Sequence, residues 1–178
     1  MRIGEEELRK SREGTKLVRN MLQEIGWKVG DLNGDGWGFP VGLPGGVEHR
    51  WVGLRTKQDK VFFKKWNRYV HGISLDAFQF YRTIALEQKV PAWLFVYEVE
   101  PNNIIAAPLS ALAMPMWHRT YQGTNEQDPG GNIYFDRMAF ALFAIPPKPG
   151  EMWELRDNHW LPSRYLKGSH LPPEGATR

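Results

Sequence analysis

The side chains best suited to chemistry with another molecule are cations, and they are grouped. Arg50, Arg55, Lys57, Lys60, Lys64, Lys65 and Arg68 fall within one stretch, with Trp51, Phe62, Phe63, Trp66 and Tyr69 interleaved. Basic groups neutralise phosphates and aromatic rings stack on unpaired bases, so this pattern suits contact with DNA or RNA. The competing reading is a solvated loop whose aromatics plug the core. Other reactive constellations are absent. The chain has no cysteine, which excludes disulfides, cysteine-based zinc sites and thiol catalysis. His49, His71, His118, His159 and His170 show no paired spacing that would hold zinc. His71, just before Gly72, reads as a turn residue at a helix entrance. Ser74 and Ser110 lack the glycine context of a nucleophile elbow and read as helix caps. The glycine-rich stretch from Asn33 to Gly46 is not followed by Gly-Lys-Ser/Thr, so it is not a phosphate-binding P-loop.

Such residues need a framework. The chain has 178 residues, 42% hydrophobic and 13% aromatic, enough for one domain with a substantial core. The division expected is an α/β domain over 1–148 and a C-terminal extension over 149–178. The eight tryptophans are mostly packing residues, with a Trp-rich surface as a second possible contact for a protein partner. A formal charge of +3 permits a nucleic-acid partner without identifying one. The first residues lack an apolar signal core and no apolar run is long enough to cross a bilayer, so a cytoplasmic protein with no membrane association is expected.

Apolar spacing predicts a first helix over 5–25, interrupted by Gly14, so that it begins properly near Ser11 and ends at Gly26. A short strand follows from Trp27, then a loop or bulged strand over 33–46. Val47 to Lys57 reads as a strand, 58–68 as a polar, basic segment, and 75–88 as a second helix capped by Ser74. Ala92 to Val99 is a nearly continuous apolar run, which suits a strand buried on both faces. Ile104 to Ala107 reads as another strand, Pro108 to Leu112 as a short helix, and 122–132 as a loop. Residues 133–145 fit helix or strand. Residues 150–178 read as a surface wrap whose end is unstructured. The order gives an α/β sandwich, a mixed sheet with a helix on each face.

Several local residues resemble the PD-(D/E)XK nuclease superfamily. Ile25-Gly26-Trp27-Lys-Val29 is similar to the exit of that family's first helix. Asp35 lies in the hairpin region where the family places a metal-binding aspartate. Val52-Gly53-Leu54-Arg55 stands where it has a hydrophobic residue, an acid, a hydrophobic residue and a lysine. The helix with Gln79 and Tyr81 resembles the family's helix that carries a Gln and often a Tyr. Val90-Pro91 into Trp93-Leu-Phe-Val96, and then Pro108-Leu109-Ser-Ala-Leu112, resemble the segments after it. The similarity spans about residues 11 to 115.

The resemblance implies an αβββαβ-type, restriction-endonuclease-like core and a phosphodiester-directed site. In the family, carboxylates hold a hydrated divalent metal that activates water, and the lysine orients that water or stabilises developing charge. Here the acid position is Gly53 and the lysine position is Arg55, which stays protonated. Lys57 can supply the lysine in a second register. Metal binding, with Mg2+ or Mn2+, would then fall to Asp35 and Glu48, the latter turned toward the site by a bulge, or to Asp31 and Asp35 with a backbone carbonyl, and Gln79 would position a phosphate or a metal-bound water. Three readings follow. The first is a nucleic-acid-binding protein of nuclease fold with a degenerate catalytic centre, working through Arg50, Arg55, Lys57, Lys60, Lys64, Lys65, Trp66 and Arg68. The second is an active Mg2+- or Mn2+-dependent endonuclease with a migrated acid, using Asp35, Glu48, Lys57 and Gln79. The third is a protein-interaction or inhibitor module. A phage or mobile-element origin fits the compact chain.

Overall fold

In a computed structural model, residues 5–33, 38–121, 130–148 and 150–163 are described. Helix α1 (Glu5–Glu24) turns an apolar stripe inward through Val18, Met21 and Leu22. Rather than beginning near Ser11, the helix runs from Glu5 unbroken through Gly14. A Cβ there would collide with the Thr56 side chain, so the glycine allows α1 to approach the sheet closely and offsets its poor helix propensity. After Gly26, at φ +91°, the chain enters β1 (Lys28–Val29), β2 (Gly38–Gly42) and β3 (His49–Lys57), an antiparallel meander.

Three further pieces carry the chain from β3 to a parallel neighbour: β4 (Val61–Phe63), β5 (Arg68–Ser74) and helix α2 (Leu75–Gln88). Ser74 caps α2 by accepting from the Ala77 N–H at 3.3 Å, and Lys89 closes it in the left-handed region at φ 53°. Then β6 (Ala92–Glu98) pairs parallel to β3, and β7 (Asn103–Pro108) pairs antiparallel to β6. Helix, meander, helix and parallel strand make the expected α/β core, a mixed sheet flanked by helices. The element order is the αβββαβ that the resemblance implies, with β4 and β5 inserted. After the short helix α3 (Leu109–Leu112) come β8 (His118–Tyr121), β9 (Asn132–Asp136) and, past a 3₁₀ turn at Arg137–Ala139, β10 (Ala141–Ala144). The ambiguous 133–145 region is thus mainly strand.

The last described segment forms a hairpin, β11 (Trp153–Arg156) and β12 (His159–Pro162). It does more than wrap the surface. β12 pairs parallel to β10 and completes an eight-stranded sheet ordered β1-β2-β3-β6-β7-β10-β12-β11. The expected unstructured tail lies outside the described residues. A second, four-stranded antiparallel sheet, β4-β5-β9-β8, was not visible in the sequence pattern, which reads 58–68 as a polar segment.

Strand alternation sorts the core into two layers. Val52, Leu54 and Phe95 face α1 with Leu22, Phe39 and Ile104. Trp51, Leu94 and Val96 face α2 and the small sheet, with Phe78, Tyr81, Ile133 and Phe135. The run in β6 is nearly continuous because both of its faces are covered. Among the described residues no helix is long and apolar enough to cross a membrane.

Candidate nucleic-acid interface

The odd-numbered residues of β3 point to the α2 layer, as Trp51 shows by joining that core. Gly53 comes next on this face. A Cβ there would stand 2.6, 2.7 and 3.0 Å from three carbons of the Tyr81 ring. Tyr81, from the buried side of α2, is 1% exposed. Its ring occupies the space into which a side chain at position 53 would project. Burial pushes the Tyr81 phenol up to about 12, against a weaker opposing pull from Arg55, so it remains neutral at physiological pH.

Arg55 follows on the same face, its guanidinium 5.7 Å from the Tyr81 ring centroid and donating to the Leu54 carbonyl at 2.9 Å. Lys57 is next. Burial, and then the neighbouring Arg55 charge, hold its ammonium below the ordinary lysine range. Along a strand the two residues are about 6.6 Å apart, so the end of β3 presents a pair of adjacent cations.

Lys57 is in register with Glu98 on β6, whose side chain shares the face of Leu94 and Val96. Glu98 is 1% exposed and already engaged. Its Oε1 meets His71 Nε2 at 2.6 Å and accepts from Arg137 Nε at 2.8 Å, while Oε2 accepts from Arg137 Nη2 at 3.2 Å. Burial drives the carboxyl upward, but the His71 and Arg137 hydrogen bonds and charges outweigh it and leave the group below its ordinary value. His71 is therefore no turn residue. It sits in β5, buried, and ties the small sheet to the end of β6. The sequence does carry a signal for this cluster. Glu98 ends an apolar run two residues past Val96, so a strand must turn it to the same covered side, where a carboxylate needs partners.

The other expected site residues disperse. Asp35 lies outside the described residues; the flanking Asn33 and Gly38 are joined by Asn33 N to Gly38 O at 2.9 Å and Gly38 N to Asn33 Oδ1 at 3.0 Å. Glu48 is exposed at the opposite end of β3 from Lys57, about 30 Å away along an extended strand, and pairs with Arg50 at 3.2 Å. A bulge cannot bridge that span, so Glu48 and Lys57 do not share a site. Arg50 stacks over Trp93 at 4.7 Å, on the α1 side of the sheet, and is separated from the other cations. Gln79 is exposed on α2, away from the buried side formed by Ala77, Phe78 and Tyr81. Among the described residues no group of three or more His, Asp or Glu side chains is arranged to hold a metal. Of the expected metal ligands only Asp31 and Glu48 lie among the described residues, and Glu48 stands apart from Lys57.

The remaining cations cluster on the β4–β5 hairpin. Its turn, 64–67, is closed by Trp66 N to Phe63 O at 3.1 Å and Asn67 N to Lys64 O at 3.2 Å, with Asn67 at φ 53°. Lys64 and Lys65 are exposed there, and Lys65 lies 5.6 Å from the Tyr121 ring. Lys60 stands 4.6 Å over Tyr69. Arg68 faces the buried Asp136 at 3.6 Å. Trp66 is half-buried beneath Arg119, whose guanidinium is 4.7 Å from the ring, a partner that sequence spacing did not indicate. The structure thus brings Lys57 and the hairpin cations onto consecutive pieces of chain and leaves Arg50, Glu48 and Gln79 elsewhere.

No protein-family model and no curated protein matches this chain. Among solved structures, Hjc of the archaeal hyperthermophile Archaeoglobus fulgidus, a Holliday junction resolvase, is similar to it, with a TM-score of 0.47 and 13% identity over 71% of this chain and 86% of that chain.

Proposed function

We propose that this chain is a nucleic-acid-binding protein of nuclease-like fold whose hydrolytic centre is degenerate. The observation that carries the reading is the Tyr81 ring over Gly53. The strand position that would carry a metal-binding carboxylate has neither the side chain nor the space for one. What survives on that face is Arg55 and Lys57, suited to a phosphate backbone. The neighbouring buried carboxylate, Glu98, supports the same reading because both its oxygens are taken by His71 and Arg137.

Binding then works through charge and position. Arg55 is fixed by Tyr81 and the Leu54 carbonyl, so little side-chain freedom is lost when it meets a phosphate. Lys57 is already partly desolvated, and a phosphate restores the favourable field that burial removed. Exposed Lys64 and Lys65 extend the cationic track along the hairpin. Recognition of this kind is largely independent of sequence and strongly salt-dependent, with DNA or RNA as partner in a cytoplasmic setting.

The test has two arms. Single-stranded, duplex and branched substrates are incubated with Mg2+ or Mn2+ and assayed for cutting, with none expected. Binding is measured by fluorescence anisotropy across a salt series, with weaker, less salt-sensitive binding expected for Arg55→Ala/Lys57→Ala. Metal-dependent cutting that Asp35→Ala abolishes would replace this reading with that of an active endonuclease. Unchanged affinity in the double variant would remove β3 from the interface.

A further inference from the structure

The structure sorts the aromatic residues of the basic stretch by exposure. Trp51 is core. Phe63 stacks on Tyr134 at 5.0 Å and 15° and meets Tyr121 edge-on at 5.0 Å, while Trp66 is covered by Arg119. Phe62 and Tyr69 differ. They are cross-strand partners on the β4–β5 hairpin, in edge contact at 5.2 Å, and 46% and 38% exposed. Tyr69 shares its side of β5 with His71, which reaches Glu98, the register partner of Lys57. The exposed pair therefore lies on the side of the small sheet turned toward the cationic end of β3.

From this juxtaposition we infer that Phe62 and Tyr69 form a stacking platform for unpaired bases, making single-stranded nucleic acid the preferred ligand. The inference rests on the binding function proposed above and adds the form of the ligand. The pair stabilises the hairpin by its own cross-strand contact, its exposed surface stays open to a ligand, and the charge around it selects which. Lys60 over Tyr69 puts positive charge at the rings, and Lys64 stands exposed at the hairpin turn, which matches a polyanion with flat apolar bases and opposes a basic or purely apolar partner. In a duplex the base faces are closed by their neighbours, so two rings on the hairpin surface reach base faces only where the strand is unpaired.

The experiment uses the full chain with two fluorescent probes: a single-stranded oligonucleotide carrying 2-aminopurine and a blunt duplex of the same sequence. Wild type should bind the single strand more tightly and quench 2-aminopurine. Phe62→Ala/Tyr69→Ala should lose the quench and bind the single strand at least about tenfold more weakly, since removing one stacking ring costs about 5- to 150-fold. Its duplex affinity should change less than about threefold. The conservative pair Phe62→Tyr/Tyr69→Phe should retain both affinity and quench, and circular dichroism checks that each variant is folded. If wild type binds nucleic acid while the alanine pair keeps full single-strand affinity and quench, the platform is refuted and the proposed binding function stands. If wild type binds neither probe at low salt, the binding function fails and the platform with it. An alanine pair whose only change is altered self-association would assign the rings to a protein contact and overturn the inference.

Discussion

Gly53→Ala tests the contact on which the functional reading depends. In an ordinary strand interior this change relieves a glycine penalty of about 0.5–1 kcal/mol. Here the new methyl would sit 2.6, 2.7 and 3.0 Å from three carbons of Tyr81, well inside normal carbon–carbon contact. The ring has little room to retreat. It is 1% exposed, in edge contact with Phe80 at 6.1 Å, and covered by Arg55. Overpacking of this kind costs about 1–3 kcal/mol, so after that relief the net loss should be about 1 kcal/mol, a fall in Tm of roughly 2–4 °C for a chain of this size. Urea unfolding followed by circular dichroism and tryptophan fluorescence measures it, with an unchanged m-value expected. The decisive comparison is a double-mutant cycle with Tyr81→Leu. That change removes the clash and costs about 2–4 kcal/mol by itself. In its background Gly53→Ala should become neutral or slightly stabilising, giving a coupling of about 1–2 kcal/mol. A Gly53→Ala cost below about 0.5 kcal/mol, or an equal cost in both backgrounds, would refute the steric argument. Gly53→Asp should lose more stability than Gly53→Ala, because it adds a buried carboxylate, and should gain no Mn2+-dependent cutting.

Other measurements probe the same framework. Gly14→Ala should destabilise the fold although alanine is the better helix former by about 1 kcal/mol, because its methyl meets Thr56; Thr56→Ala should restore much of the loss in thermal melts. The folded-state pKa of Glu98 is lowered, so its contribution is fully present above the ordinary carboxyl value of 4.5 and is lost as pH falls through the depressed value; urea midpoints between pH 3 and 6 should show this, and Glu98→Gln should flatten that dependence while costing about 3–5 kcal/mol near neutrality. Because the Lys57 pKa is also lowered, nucleic-acid affinity should begin to decline on the alkaline side earlier than an ordinary lysine would allow, and Lys57→Arg should remove that decline in anisotropy titrations. Arg55→Ala/Lys57→Ala should reduce the slope of log affinity against log salt by about 1.8 for duplex DNA, or about 1.4 for a single strand.

The major elements were legible because each leaves a one-dimensional trace. Val18, Met21 and Leu22 mark the inward stripe of α1, Ser74 marks the start of α2, and the apolar run from Ala92 marks a strand covered on both faces. The small sheet was not legible. Val61–Phe63 is short and exposed at an edge, with lysines on both sides, so no alternation of apolar and polar residues distinguishes it from a loop. Its strands exist because β5 pairs with β9, more than fifty residues away in sequence, a partnership that local pattern does not encode. The same limit explains Glu48 and Gln79. Both are plausible by residue type, yet one lies at the wrong end of β3 and the other on the exposed side of α2.

By itself the sequence determined that position 53 holds no acid, that Arg55 and Lys57 stand two residues apart on a strand, and that cations and aromatics share one stretch. These are properties of residue type and strand period, which survive without knowledge of the fold. Tertiary structure alone decided which groups share a space. It set Tyr81 over Gly53, committed Glu98 to His71 and Arg137, and left Phe62 and Tyr69 exposed while Phe63 and Trp66 became half-buried. The physical reason is that burial and hydrogen bonding depend on what packs against a side chain, and here those neighbours come from distant segments.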